Sequence, residues 1–482
     1  MNAALVMPFG SADWMAILPA TVVGLTALLV LIADLTLPRP LRRRTGLVLA
    51  FLGTVAAGVL ALQGWGHSYA AFGGGFMLGG FTIAFEGIIV LATLFTLLLA
   101  TSLGREDQAA AGIALILWAA TGAMLMAGAS NLMTIFLGLE LLSLALYCLC
   151  TLSPRPASRE SALKYLILSS TASAFMLYGM ALLFGATGSV ALSALLDPPA
   201  STGLFDAGCA LFFIGVAFKL SLVPFHVWTP DVYEGAPLPV TAFMSVVTKA
   251  GMLAVFARFA YAALPASKAP QLLWPMWIFA AFSMIVGNVA ALAQTDIKRL
   301  LAYSGIAQLG YIVAAMAGTT QAGLRYAIFY TIAYTFMNLG AFAVVALLSR
   351  EREEGSHLAS YSGLGQRQPV LAGAMTFFLL ALAGLPPTVG FTGKVFILAS
   401  LVFAGYGWLA GLLIAGTVIS AYVYLKIVFT MYARTAGAPL RAVVKPLSLL
   451  PWVVLGTCAV AVLVLGLYPL SPSAANIVPL VK

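Results

Sequence analysis

The sequence predicts an all-α polytopic membrane protein of about fourteen spanning helices. Three observations predict it: the apolar content, the length of the apolar runs and the placement of the basic residues. Of 482 residues, 62% are hydrophobic and 8% are charged, against about 25% charged in a soluble globular chain. A soluble fold could not hide that much apolar surface, so lipid is the solvent that suits the composition. Almost every apolar run reaches the roughly 20 residues that a spanning helix needs. The short alternating segments of an outer-membrane barrel are absent.

The runs fall at about 14–36, 46–63, 77–103, 110–127, 130–152, 162–185, 206–229, 239–263, 272–294, 299–317, 323–349, 369–402, 405–433 and 447–469. Arg39, Arg42, Arg43 and Arg44 separate the first pair, Arg105 the third and fourth, and Arg155 and Arg159 the fifth and sixth, with Lys164 just beyond. Lys298 and Arg299, then Arg350, Arg352 and Arg367, then Arg434, Arg441 and Lys445 mark every second connection afterwards. The intervening connections carry only Lys268, Arg325 and the terminal Lys482. This alternation supports the segment count and places both termini on the non-cytoplasmic side. The loop 230–238 belongs to the cytoplasmic set yet has no Lys or Arg. No basic residue precedes Arg39, so a signal-peptide n-region is missing and the first helix is expected to be retained. Gly73–Gly75 reads as a turn. The polar stretch 349–369 reads as a solvated hinge loop.

Two segments look broken. The seventh contains Lys219, Pro224 and His226, and the twelfth contains Gly384, Pro386, Pro387 and Lys394. Proline removes a donor and clashes with the preceding turn, and in lipid the freed carbonyls need protein or water as partners. Interruptions paired between two halves of a chain point to inverted repeats with a site at the membrane midplane. The expected organisation is helices 1–3 over 1–109, a first five-helix repeat over 110–263, an inverted second repeat over 264–433, and helix 14 over 434–482. Packing kinks are the structural alternative, but each break lies within a few residues of a lysine.

Most of the 24 basic and 15 acidic residues fall in loops or at segment ends. Glu140, Lys219, Lys249 and Lys394 do not. Each costs roughly 2.5–3.5 kcal/mol at a helix centre on insertion scales, so four at similar depth point to a buried polar axis that passes protons. Burial favours a neutral lysine and a nearby carboxylate favours the charged form, so a lysine moved between those settings takes up and releases a proton. Glu140 is the expected partner of Lys219. Lys219 precedes its break, beside exposed carbonyls, whereas Lys394 follows its break, near a half-helix N-terminus. His226 can relay protons, though a lone histidine at a helix end is as often structural. Lys164 can modulate Glu140 or snorkel to the interface. Arg258 and Lys426 allow either reading, and Glu86 and Asp34 lie near segment ends, where solvation is expected. An inert ion pair locking two helices is the competing reading of Glu140 and Lys219.

Other chemistry is excluded. The net charge of +9 has a topological explanation, and no basic stripe with interleaved aromatics suggests nucleic acid. Cys148, Cys150, Cys209 and Cys458 all lie in apolar runs and read as small core residues. Gly393-Lys394 is not a phosphate-binding loop, because Val395 replaces the Ser or Thr. No dinucleotide fingerprint, paired haem histidines or iron–sulfur cysteine array occurs, so no cofactor is expected in this chain.

Three long motifs then carry a resemblance. Residues 219–251, KLSLVPFHVWTPDVYEGAPLPVTAFMSVVTKAG, residues 295–311, TDIKRLLAYSGIAQLGY, and residues 384–394, GLPPTVGFTGK, occur in order. They resemble the signatures of the antiporter-like subunits of respiratory complex I, the proton-pumping NADH-quinone oxidoreductase, over essentially the whole chain. Glu140, Lys219 and Lys249 match that family's helix-5 glutamate and helix-7 and helix-8 lysines. Lys394 matches the helix-12 position, which is lysine in the N and L branches and usually glutamate in M. The chain stops just after segment 14, without the lateral helix of the L branch, so N fits best. The resemblance implies a proton-translocating hetero-oligomer subunit in the bacterial inner membrane, with periplasmic termini and the M and K subunits as neighbours. It also implies FMN, iron–sulfur clusters and quinone in other subunits. A subunit of a multi-chain sodium/proton antiporter and a non-conducting membrane scaffold are the alternatives.

Overall fold

The computed structural model describes residues 10–100, 108–197, 202–265, 267–348, 357–433 and 449–469. The chain opens with α1 (Ser11–Thr36) and α2 (Arg39–Gln63), then a small hairpin of β1 (Tyr69–Ala71) and β2 (Phe76–Leu78), then α3 (Gly80–Leu99). Next come α4 (Ala109–Gly128), α5 (Leu132–Cys150), α6 (Pro156–Thr187), α7 (Thr202–Leu220), α8 (Trp228–Gly235) and α9 (Leu238–Arg258). The rest is α10 (Ala269–Ala291), α11 (Ile297–Ala315), α12 (Gln321–Leu348), α13 (Leu364–Arg367), α14 (Pro369–Ala383), α15 (Val389–Phe403), α16 (Gly407–Tyr432) and α17 (Leu450–Leu467).

Among the described residues, twelve helices are long and apolar enough to cross a membrane. The other two of the fourteen apolar segments are α11, which carries Lys298, Arg299 and Gln308, and the broken pair α14 and α15. Local chemistry sets the starts. Asn131 accepts from the Thr134 amide at 2.6 Å to cap α5, and Asp296 accepts from the Lys298 and Arg299 amides to cap α11. Pro156 and Pro369 open α6 and α14, where a missing amide proton costs nothing.

The helix α9 is the hub. Every residue in it is buried, and α3, α4, α5, α7 and α12 pack around it. Within 109–263, α4 packs on α5, α5 on α6, α6 on α7, and α9 on α4 and α7. Within 269–432 the corresponding pairs touch: α10 with α11, α11 with α12, α12 with α14 and α15, and α16 with α10 and α14. Both leading pairs cross at glycines. A Cβ on Gly122 would stand 2.5 Å from the Gly138 carbonyl, and one on Gly310 would stand 2.8 Å from the Ala280 carbonyl. Small residues at such crossings let backbones approach closely.

Two expectations change and two gain detail. The expected loop 230–238 is mostly α8, whose Asp231 and Glu234 meet basic residues of other segments. Those ion pairs hold it against the basic connections although it has no cation of its own. The Gly73–Gly75 turn sits in a hairpin, with Gly73 and Gly74 at φ of 62° and 88°. In the stretch 349–369, residues 349–356 lie outside the described residues; of the remainder His357, Ala359, Ser360 and Gln366 are exposed, while Tyr361 is 2% exposed. Glu86 is fully buried rather than solvated, and the start of α3 packs on the hairpin through Ile83. Arg105, Arg434, Arg441 and Lys445 also lie outside the described residues.

Candidate functional site

Lys219 ends α7, and its ammonium crosses to two neighbouring helices. It donates to Ser143 Oγ of α5 at 2.7 Å and to Ser169 Oγ of α6 at 2.6 Å. Ser169 also accepts from the Tyr147 hydroxyl at 2.7 Å. The Tyr165 ring centroid lies 5.5 Å from the ammonium. Glu140, the expected partner, does not pair with it directly. One turn of α5 separates Glu140 from Ser143, and it is the serine that reaches the amine. Glu140 Oε1 is buried with no hydrogen-bond partner among the described residues.

Beyond Leu220 the chain breaks. Ser221 turns to φ 58°, and the helix resumes at Trp228. Lys249 of α9 satisfies the break. Its Nζ donates to the Lys219 carbonyl at 2.8 Å and to Ser221 Oγ. Trp228 Nε1 donates to the Phe218 carbonyl at 3.0 Å and sets its ring 4.8 Å from the Lys249 ammonium. The exposed carbonyl therefore belongs to Lys249, not to the Lys219 side chain as expected. The Val223 amide donates across to Ser283 Oγ of α10 at 2.8 Å.

The second break lies at 384–388. Gly384, at φ 86°, ends α14 in the left-handed conformation that favours glycine. Lys394 of α15 reaches back over it and donates to the Leu382 and Ala383 carbonyls at 3.1 and 3.0 Å. This corrects a further expectation: the amine sits on the C-terminal carbonyls of α14, not at the N-terminus of α15. A long side chain in the second turn of α15 extends toward that helix's own start, and the facing carbonyls are the acceptors within reach. Gln308 Nε2 donates to the same Leu382 carbonyl at 3.0 Å, and the Tyr330 hydroxyl donates to Gln308 Oε1 at 2.6 Å. Tyr311 places its ring 4.9 Å from the Lys394 amine.

Lys219, Lys249 and Lys394 are 3%, 4% and 5% exposed. Between Lys249 and Lys394, Ser245 lies one turn along α9 and accepts from Asn338 Nδ2 of α12. From Asn338 the face of α12 continues through Tyr334 to Tyr330 and Gln308. Polar side chains thus line the interior from α5 to α15.

A family model described as "NADH:quinone oxidoreductase/Mrp antiporter, TM" matches residues 129–420. The chain belongs to this family. The matched span of this antiporter-type subunit contains Glu140, Lys219, Lys249 and Lys394. It is 40% identical over 469 residues to "NADH-quinone oxidoreductase subunit N 1" of Symbiobacterium thermophilum, covering 94% of this chain and 95% of that one. It is 40% identical over 481 residues to subunit N of Gemmatimonas aurantiaca, covering 94% and 91%. Among solved structures, a chain of respiratory complex I from Thermus thermophilus with bound aureothin superposes at a TM-score of 0.81 with 34% identity, covering 94% of this chain and 98% of that one. A chain of the Mrp complex from Dietzia shares the fold, with a TM-score of 0.79 at 21% identity over 95% of each chain.

Not every expected residue joins the row of this antiporter-type subunit. His226 lies in the first break, half-buried, its ring 6.3 Å from that of Tyr303 in α11, and its Nδ1 is buried without a partner. Lys164 stands at the rim. It pairs with Glu160 at 2.8 Å and Asp231 at 3.0 Å, and Arg299 joins Asp231 at 2.6 Å and Glu234 at 2.9 Å. Burial pushes the Asp231 carboxyl up, but hydrogen bonds from Lys164 and Arg299 outweigh it and hold it below its ordinary value. Lys426 is exposed and donates to the Leu292 carbonyl at 3.2 Å. Arg258 is buried, bridging Thr82 of α3 and the Ala127 carbonyl of α4.

Ser143, Ser169, Ser221, Gln308 and Asn338 escaped sequence reasoning. The polar triplet Ser169, Ser170 and Thr171 inside an apolar run was the one available signal.

Proposed function

We propose that this chain is the N-type, proton-translocating membrane subunit of an NADH:quinone oxidoreductase, and that the buried row is its proton path. What carries the reading is the row itself: three lysines in the interior, each beside a break or holding one closed. An ammonium on Lys219 donates to both serines; the neutral amine left after proton loss can accept from either hydroxyl. Lys219 and Lys249 lie close enough for their charges to oppose one another. Two like charges at low dielectric repel strongly, so protonating one biases the other to release. Lys249 is tied to the backbone of the break, so its protonation is coupled to the shape of α7. Tyr330, Gln308 and Asn338 lead from there toward Lys394. Glu140, one turn from Ser143, sets the charge at the start of the row, and His226 faces the second half.

The repeats 110–263 and 264–433 are proposed as two inverted halves of one path; the matching contact pairs and glycine crossings support this. The basic connections support cytoplasmic placement for α8 and periplasmic placement for both termini, in a bacterial inner membrane. The N subunits and complex I chain it resembles support a hetero-oligomer with M and K subunits as neighbours. Flavin, iron–sulfur and quinone chemistry then belongs to other subunits, and this chain does no redox chemistry.

The test is NADH-driven proton uptake by inverted membranes, divided by NADH oxidised. Lys219→Ala should abolish this subunit's share of uptake while the complex remains assembled. Glu140→Gln should lower uptake without releasing the subunit. Full uptake in an assembled Lys219→Ala complex rejects the reading.

A further inference from the structure

Glu86 lies in α3, outside the family-matched span and outside the lysine row. It is 0% exposed, and no described group hydrogen-bonds to either of its carboxyl oxygens. It does not stand alone. Thr82, Glu86, Thr93 and Thr96 recur at helical spacing along one face of α3, and each is 0% exposed. The hydroxyls of Thr93 and Thr96 donate to the carbonyls of Ile89 and Ala92 at 2.7 and 2.8 Å, which leaves their oxygens as acceptors. Thr82 donates to the Met77 carbonyl of the hairpin at 2.7 Å and accepts from Arg258 Nη2 at 3.0 Å. The same Arg258 nitrogen donates to the Ala127 carbonyl at 3.0 Å, while its buried Nε has no partner.

The Thr82 end of this polar face lies where α3, α4 and α9 meet, beside the hairpin. Arg258 stands on a different side of α9 from Lys249, which faces the break. The surrounding charges are few. From α9 comes Arg258; α4 and α17 carry no charged side chain; α12 brings Arg325 in its first turn. The arginines of α2 lie at its start, away from Gly64, whose α2 end meets Ile83 of α3.

An isolated ionised carboxylate in an apolar interior costs far more than a protein can offset, so such a group takes a proton or is hydrated and paired. One turn along α3, Thr82 accepts from the cationic Arg258 guanidinium, which places a positive group on the face of the helix that carries the carboxyl. We propose that Glu86, with Thr82 and Arg258, is a second proton-carrying site at the α3–α4–α9 junction, exchanging with water at the face covered by the hairpin. The carboxylate takes one proton from that water as an O–H bond and returns it; no other bond changes. The inference rests on the proton-translocating reading of the chain.

The test uses the intact complex in membranes. Glu86→Gln keeps the shape of a neutral carboxyl and removes its exchangeable acid. The expected result is a fall in protons moved per NADH and the loss of one carboxyl C=O band from the redox-induced infrared difference spectrum. Glu86→Asp should restore both. Wild-type pumping and an unchanged spectrum in Glu86→Gln, with pumping lost in Lys219→Ala, overturn this site and leave the proposed function standing. Wild-type pumping in both variants overturns both. A Glu86→Gln subunit that fails to join the complex also overturns the site, because it assigns Glu86 a packing role.

Discussion

The amine of Lys249 has two duties, since the groups that hold it are the groups the break leaves bare. Replacing it with Met keeps the length of the side chain but strands the Lys219 carbonyl, while Ser221 Oγ keeps the Thr229 hydroxyl as a partner. Each buried acceptor left unsatisfied costs about 1–3 kcal/mol. Lys249→Met should therefore lower the thermal midpoint of the assembled complex as well as its pumping. Glu140→Gln, which removes no hydrogen bond to Lys219, should lower pumping with little change in midpoint. Differential scanning of the two variants checks this; equal midpoints would remove the structural duty of Lys249. At this scale the sequence exposed the depth of each lysine but not its partners. Serines in membrane helices usually bond their own preceding turn, so nothing in the sequence marks Ser143 as a receiver of an ammonium, and only the polar triplet at 169–171 hints at Ser169. Glu86 was hidden for the opposite reason: its place near a segment end suggested solvent, and the helices packed around α3 bury it.

At the scale of elements, the breaks were legible and α8 was not. Prolines 224, 386 and 387 announce interruptions in otherwise continuous apolar runs, and helices end where those residues demand it. The eight residues of α8 are flanked by Pro237 and contain Pro230, a composition that reads as a loop until Lys164 and Arg299 supply ion partners. The second break also depends on close approach. A Cβ on Gly390 would stand 1.8 Å from the Ala381 carbonyl, whereas one on Gly373 would meet nothing within 4 Å. Overpacking a filled interior typically costs about 1–3 kcal/mol, occasionally more. Gly390→Ala should push α15 off α14, pull Lys394 from its carbonyls and reduce the subunit's recovery in the complex. Gly373→Ala, in α14 itself, should be recovered as wild type. Equal recovery by quantitative immunoblot would count against the tight seating of the two half-helices.

For the whole molecule, the apolar runs and the basic alternation gave the number of crossings, but not how residues 110–263 are fastened to residues 264–433. The Val223 amide reaches Ser283, Asn338 reaches Ser245, and Lys298 donates to the Ala236 carbonyl at 2.9 Å. At the rim, Asp231 joins Lys164 of α6 to Arg299 of α11. That last tie is partly exposed, so solvent screens it and its worth is about 0.2–1 kcal/mol. Its sign with pH follows from the depressed carboxyl. The stabilisation is present above the ordinary aspartate range and is lost as pH falls through the lower value that Asp231 holds when folded. A double-mutant cycle of Asp231→Asn and Arg299→Gln on the assembled complex should therefore give a coupling of about that size near neutral pH. The coupling should shrink in high salt, as exposed pairs do, and close only under acid conditions. If it is instead unaffected by salt and vanishes nearer neutrality, the pair that matters is not Asp231 with Arg299, and the two halves are held by the buried hydrogen bonds alone.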